Sequence, residues 1–309
     1  MKSATERLQS QINDGLHSPC ELNRQPRSRS TTMLRMIDLR LTLPALLWLA
    51  TGCRKTGEPA QDAAPSRRDV TVTATDYAFR GLPDSISAGW VTFRLANTGR
   101  EQHMLAILSV PPELSQYGLM DSLSHGHFPA DLPVGNGVNN VSPGDTGVVT
   151  VFLPADRYVI TCFVTSPDGH AHAAKGMGAY LVTVASADTG RSPAVDATVT
   201  LSHDSIGLSG DFTRSGARNW AIASNDSGWK DFDIVRLLPG KTTAEAMKWL
   251  SHPYAGPPAA VALGGTAGTP PGRPAFVTAS LPAGKYLVVL DAFDKSGHAT
   301  KTQRALTLR

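Results

Sequence analysis

The sequence predicts an all-β protein, two sandwiches in tandem behind an N-terminal export segment. Three observations carry this: a turn-rich, charge-poor composition, short runs of alternating apolar and polar residues, and an internal repeat of domain size. Aromatic residues make up 6 % and charged residues 18 %, with 28 Gly and 22 Pro, which suits strands and turns better than helices. The 309 residues, less a leader, suffice for two ordinary domains. A formal net charge of +3, with much of the Arg excess near the N-terminus, excludes a basic surface of nucleic-acid type, so no nucleic-acid partner is expected.

Residues 1–53 read as a leader. Met1 to Thr32 is polar and without periodicity, and Met33 or Met36 reads as the start. Arg35 and Arg40 then form a basic region, Leu41 to Ala50 an apolar run too short to span a bilayer, and small residues precede Cys53. The stretch Leu49-Ala50-Thr51-Gly52-Cys53 resembles a bacterial lipoprotein signal peptide. That resemblance implies cleavage before Cys53, its acylation, and a protein held at the periplasmic or outer cell surface by its lipid. The other reading is an ordinary secretory leader in which Cys53 is incidental. Residues 54–67 read as a flexible tether.

The repeat sets the next boundaries. Residues 69–170 align without a gap on residues 197–298, with Asp76 on Asp204, Asn97 on Asn225, Pro111 on Pro239 and Gly137 on Gly265. VVTVFLPADRY at Val148 to Tyr158 falls on FVTASLPAGKY at Phe276 to Tyr286. A period this long indicates tandem domains rather than a solenoid. The expected spans are 68–186 and 194–309, joined near the turn-rich Asp188 to Pro193.

Within the first copy, DVTVTATDYAF and WVTFRLAN alternate, HMLAILSV is an apolar strand, and SPGDTGVVTVFLPADRYVITCFV gives two strands around a Pro-Ala-Asp turn. Short strands with turns between them indicate Greek-key sandwiches. Pro111 to Asn140 lacks a strand period, and Glu113 to Gln116 and Asp121 to Leu123 leave room there for a short helix.

Chemistry concentrates between Tyr158 and Val184. One thiol, two imidazoles and one thioether lie there: Cys162, His170, His172 and Met177. A thiolate, His nitrogens and a weak axial Met sulfur make a trigonal blue-copper site, provided a second His comes from elsewhere in the fold. Cys162 is the one cysteine left after the leader, so it has no intramolecular disulfide partner: either it is inert and buried or a metal holds it. Taken singly, Met177 reads equally as a core residue, and His170 and His172 as solvated loop residues.

The first copy resembles the cupredoxins, the plastocyanin and azurin type of blue-copper domain. The likeness covers about Asp69 to Val184 and rests on DYAF with Ile86 and Ala88-Gly89, on Asn97-Thr98-Gly99 before His103, on Pro154 to Tyr158 leading to Cys162, and on His172 with Met177. It implies His103, Cys162, His172 and Met177 as the ligands of one copper ion, with His170 the alternative to His172, and electron transfer to a redox partner protein in the cell envelope through the ring of His172. His172 keeps the family's usual spacing to Met177. Phe163 to Ala171 is a longer arm than the family's, and Ser166-Pro167-Asp168-Gly169 is expected to bulge outward.

At the fixed alignment Asp231 or Phe232 replaces His103, Leu290 replaces Cys162 and Gln303 replaces Met177, leaving His298. The second copy therefore reads as one that has lost its ligands. His125-Gly126-His127 and His170-Ala171-His172 are His-x-His pairs of the sort multicopper oxidases and copper nitrite reductases use, but Thr161 and Phe163 flank Cys162 where those enzymes place His. The expectation is accordingly no enzyme activity. A metal-free binding or structural module at the envelope and a copper carrier are the other readings.

Overall fold

The computed structural model describes residues 68–129, 132–133, 135–254, 256–293 and 299–309. The leader, Cys53, the tether and His298 lie outside them. The first half runs β1 (Asp69–Thr75), β2 (Ala78–Arg80), β3 (Ser85–Ser87), β4 (Gly89–Asn97), β5 (His103–Ser109), α1 (Gln116–Ser124), β6 (Asn136–Val141), β7 (Thr146–Leu153), β8 (Arg157–Thr161) and β9 (Gly178–Val184). The second runs β10 (Ala197–Ser202), β11 (Ser205–Gly210), β12 (Gly216–Ser224), β13 (Trp229–Leu237), α2 (Thr243–Ser251), β14 (Ala260–Thr266), β15 (Ala275–Leu281), β16 (Gly284–Phe293) and β17 (Ala299–Leu308).

Side-chain alternation explains the strands. Val70, Val72 and Ala74 of β1 point into the core and the residues between them point away. By contrast β5 is buried along almost its whole length, because its inner face packs in the sandwich while Leu108, on its outer face, meets Leu119 and Leu123 of α1. That cover is what allows HMLAILS to be apolar on both faces. The helix lies inside the aperiodic section, and Ser115 caps it by accepting from the Gly118 amide.

The pairings of one half recur in the other. Strand β1 runs parallel to β4, as β10 does to β12. Strand β5 lies between β6 and β8, as β13 lies between β14 and β16. The Tyr158 hydroxyl donates to the Pro154 carbonyl at 2.9 Å, and Tyr286 does the same to Pro282 at 2.7 Å, so each Leu-Pro-Ala turn is tied to its strand alike. The all-β sandwich expected from the sequence is thus present.

The halves share their sheets. Strand β7 pairs with β15 through Val149–Val277 and Thr150–Phe276, and β6 with β14 through Val141–Leu263 and Val138–Thr266. The result is one sheet of eight strands and one of nine. Glycine permits the close approach at this seam. A Cβ on Gly147 would come within 2.6 Å of the Val138 side chain, and Gly264, opposite it, holds φ at +92°.

Near the seam, on the nine-stranded sheet, Asp231 and Asp291 face each other across β13 and β16. The Trp229 indole donates to Asp231 at 2.6 Å and the Gly268 amide at 2.8 Å. Burial, helped by the Asp291 charge, pushes the Asp231 carboxyl up to about 7 against these donors. The folded chain therefore holds a proton that the unfolded chain releases near its ordinary carboxylate value, so stability falls as pH rises from about 4 to about 7. Asp231→Asn should flatten that fall by on the order of 1 kcal/mol or more, read from urea midpoints at pH 4, 5.5 and 7.5. An unchanged slope would remove Asp231 as its cause.

Candidate metal centre

Two loops and a strand end converge where the sequence placed its soft donors. The Asn97-to-His103 turn is organised by the Asn97 side chain. Its amide donates to the carbonyls of Glu101 and Val141, both at 2.8 Å, and its Oδ1 accepts from the Gly99 amide at 2.9 Å. His103 follows as the first residue of β5. Cys162 comes directly after β8, and the Met104 amide donates to its Sγ at 3.4 Å.

The long arm after Cys162 is a narrow hairpin. Thr165 bridges Ala171, the His172 amide donates to the Val164 carbonyl at 2.8 Å, and the Ala173 amide donates to the Cys162 carbonyl at 2.9 Å. Residues 166–170 form its turn, so the outward bulge expected at Ser166–Gly169 sits there and His172 returns beside Cys162. His170 lies exposed at the turn. Met177 is fully buried in the same core cluster as Cys162. Its amide donates to the His172 carbonyl at 3.0 Å, and its carbonyl accepts from Thr161 Oγ1 at 3.0 Å. His125 and His127, in the irregular section, are both exposed.

The donor atoms of His103, Cys162 and His172 all lie within 4.8 Å of one another. His103 Nδ1 is 3.1 Å from His172 Nδ1, and Cys162 Sγ is 3.3 Å from His172 Nδ1 and 4.0 Å from His103 Nδ1. On the far side of each ring stands a carboxylate. Glu101 Oε2 is 2.9 Å from His172 Nε2, and Asp76 Oδ1 is 3.4 Å from His103 Nε2. A carboxylate there places the ring proton on Nε2 and turns the Nδ1 lone pair inward.

Two lone pairs facing each other beside a thiol repel unless a cation or a shared proton lies between them. Protonation is disfavoured. Burial, then the charge of His172, pushes His103 down to about 4, and burial also lowers His172, against the pull of Glu101. Burial likewise pushes the Cys162 thiol up to about 12, against the Met104 and Val164 amides. Two imidazoles and a sulfur, with buried Met177 tied through its backbone to His172 and Thr161, are the borderline and soft donors that copper takes, and the residues present fit that ion.

The carboxylates are themselves pinned. Although burial acts to raise Asp76, the amides of Arg100 and Glu101 and the His103 ring hold it below its usual value. Glu101 is held below its usual value too, burial being outweighed by His172, Tyr77 and Ser166. Tyr77 donates to Glu101 Oε1 at 2.8 Å and sets its ring edge-on to His172, centroids 5.2 Å apart. It does so in a left-handed conformation, φ 68°, which the contacts of its ring and hydroxyl hold in place. None of Asp76, Glu101 and Tyr77 was singled out as a site residue from sequence, although Asp76 and Tyr77 stand in the DYAF motif and Glu101 lies two residues before His103.

Two expectations change. His172 is fully buried, so its ring does not reach the surface as an electron port: Glu101 and Tyr77 cover its outer edge. The second concerns the second half: Ala106 lies opposite Thr161 in the first half, and Asp233 lies opposite Val289 in the second. Carrying that register along puts Lys230, not Asp231 or Phe232, in the place of His103, because the turn before β13 is one residue shorter. Lys230 is 1 % exposed, is ion-paired with Asp226, and donates to the carbonyls of Asp226 and Ser227 at 3.2 and 3.4 Å. Leu290 stands at the Cys162 position as expected, and Gln303 lies within β17 opposite Val289 because β16 and β17 continue as a hairpin where the first half has its ligand loop.

No protein-family model matches the chain, and no curated protein does. Among solved structures, dithionite-reduced auracyanin from Roseiflexus castenholzii is 19 % identical over 38 % of this chain and 97 % of its own, with a TM-score of 0.28. Auracyanin A, a "blue" copper protein from Chloroflexus aurantiacus, is 23 % identical over 38 % and 98 %, TM-score 0.26. The blue copper oxidase from Nitrosomonas europaea is 13 % identical over 78 % and 86 %, TM-score 0.24. The copper-containing nitrite reductase from Thermus scotoductus SA-01 is 13 % identical over 78 % and 61 %, TM-score 0.22. The expectation of no enzyme activity is corrected here: a copper oxidase and a copper-containing nitrite reductase are among the structures this chain is similar to, each over 78 % of its length.

Gly99 tests the geometry without altering a donor. A Cβ there would press on Asp76 Oδ1 and lie 2.7 Å from His103 Nε2. Gly99→Ala should destabilise the metal-free chain by about 1–3 kcal/mol in urea, and the imidazole signals of His103 and His172 should shift in NMR spectra. Unperturbed imidazoles would show that this contact does not hold the rings.

Proposed function

We propose that the chain binds one copper ion through His103, Cys162 and His172, with the Met177 thioether as a further donor, and passes single electrons. The observation that supports this most is the convergence of two inward Nδ1 lone pairs on one buried thiol, each ring backed by a carboxylate. Copper held there supplies a one-electron couple. The protein's part is to keep the donors still: the Cys162-to-His172 hairpin and the Asn97 turn fix them, and Glu101 and Asp76 fix the ring tautomers. A donor set that does not move when charge changes keeps reorganisation small, and burial of all four side chains excludes water from the centre. The Met104 amide on Sγ and the apolar surroundings would tune the potential.

In the same reading, Cys53 is acylated and the protein is anchored by its lipid at the periplasmic or outer face of the cell envelope, where a redox protein exchanges electrons with it. Since His172 is covered, that partner docks over Glu101, Tyr77 and Lys175, whose ammonium donates to the Tyr77 hydroxyl at 3.0 Å.

Titrating Cu(II) into the chain that begins after Cys53 should give one equivalent bound and an intense visible thiolate-to-copper band. Cys162→Ser should abolish the band, while His170→Ala should leave it unchanged. Uptake that is equal without the thiol would sink the electron-transfer reading, and stable binding of Cu(I) alone would favour a carrier.

A further inference from the structure

Among the described residues the second half holds no His/Cys cluster of its own, yet it reaches the first half's centre. Tyr254 follows α2, a helix whose start is locked by the reciprocal Thr242 and Glu245 capping bonds, and its position is stiffened by Pro253 before it. Its hydroxyl stands 3.4 Å from Glu101 Oε2, the same oxygen that faces His172 Nε2 at 2.9 Å. The Gln102 backbone amide is directed at that hydroxyl. Tyr254 is 37 % exposed, whereas His103, Cys162, His172 and Met177 are 0 % exposed. A phenol with one side in solvent and the other against Glu101 is placed as a cover.

We propose that Tyr254 is the second half's contribution to the centre: a lid that closes the outer side of Glu101 and so controls access of solutes to Cys162 and exchange of the ion beside it. The exchange part rests on the copper reading above; the access part does not. Glu101 Oε2 is the shared point. While Tyr254 and His172 both donate to it and Tyr77 donates to Oε1, the carboxylate has no free direction in which to swing. Removing the phenol frees Oε2 on its outer side and opens a path along Gln102 toward the thiol.

Two readouts test this on the full chain. In the metal-free protein, labelling of Cys162 by a small maleimide, followed by mass spectrometry of its peptide, should be about tenfold or more faster in Tyr254→Gly than in wild type. Tyr254→Phe, which keeps the ring, should lie within about threefold of wild type. In the copper-loaded protein, decay of the visible band in excess chelator should follow the same order. Labelling of Tyr254→Gly at the wild-type rate, or acceleration no larger than its change in urea stability accounts for, would overturn the lid. If wild type forms no visible band while the labelling order holds, the copper reading fails and the lid stands.

Discussion

Everything around the centre follows from holding two imidazole nitrogens 3.1 Å apart in a site that solvent does not reach. Neutral rings so placed repel through their lone pairs, and the cost of burying a charge keeps them from protonating. The surroundings must therefore supply the restraint. Asp76 and Glu101 grip the outer nitrogens, Asn97 stitches the turn that carries one ring, and a hairpin returns the other. Cys162 completes the arrangement with a thiol that burial keeps protonated until a cation offsets the charge of the thiolate. Such a pocket is electrostatically incomplete without a cation.

The second half shows a different solution on the same backbone. At the register of His103 it places Lys230, whose ammonium brings its own positive charge and is met by Asp226 and two carbonyls. Leu290 fills the thiol position with apolar volume. The ammonium thus finds its partners locally, and β16 and β17 pair directly with each other.

How much of this was legible in the residues depended on the range of the interaction. Strand alternation, the Leu-Pro-Ala-x-x-Tyr corner and the repeat are local patterns, and the sandwich follows from them. His103, Cys162, His172 and Met177 were named on the resemblance to the cupredoxins, which supplies their order along the chain. The choice between His170 and His172 rested on spacing, and its physical reason, the Thr165–Ala171 bridge that turns His170 outward, is a tertiary detail. Glu101, Asp76 and Tyr77 escaped because a lone carboxylate or tyrosine in a turn has no periodic signature. Lys230 escaped because a single-residue deletion in a turn shifts an ungapped alignment by one place.

The shared sheets were the least visible feature, and they decide what the second half can do. Each half alone would present β6, β7, β14 and β15 as open edges, a hazard that proteins usually blunt with charge or cover. Here the edges satisfy each other, and Gly147 and Gly264 let the two sheets close over the seam. That joint fixes the second half as a continuation of the same two sheets and not as a body on a linker. A tyrosine 153 residues along the chain from Glu101 can then be held at hydrogen-bonding distance. On a flexible linker that contact would cost the entropy of ordering a whole domain; on continuous sheets it costs only the ordering of one loop. The covered carboxylate beside His172 is in this sense a product of the seam, and a donor set legible in one half becomes a closed site only when both halves are present.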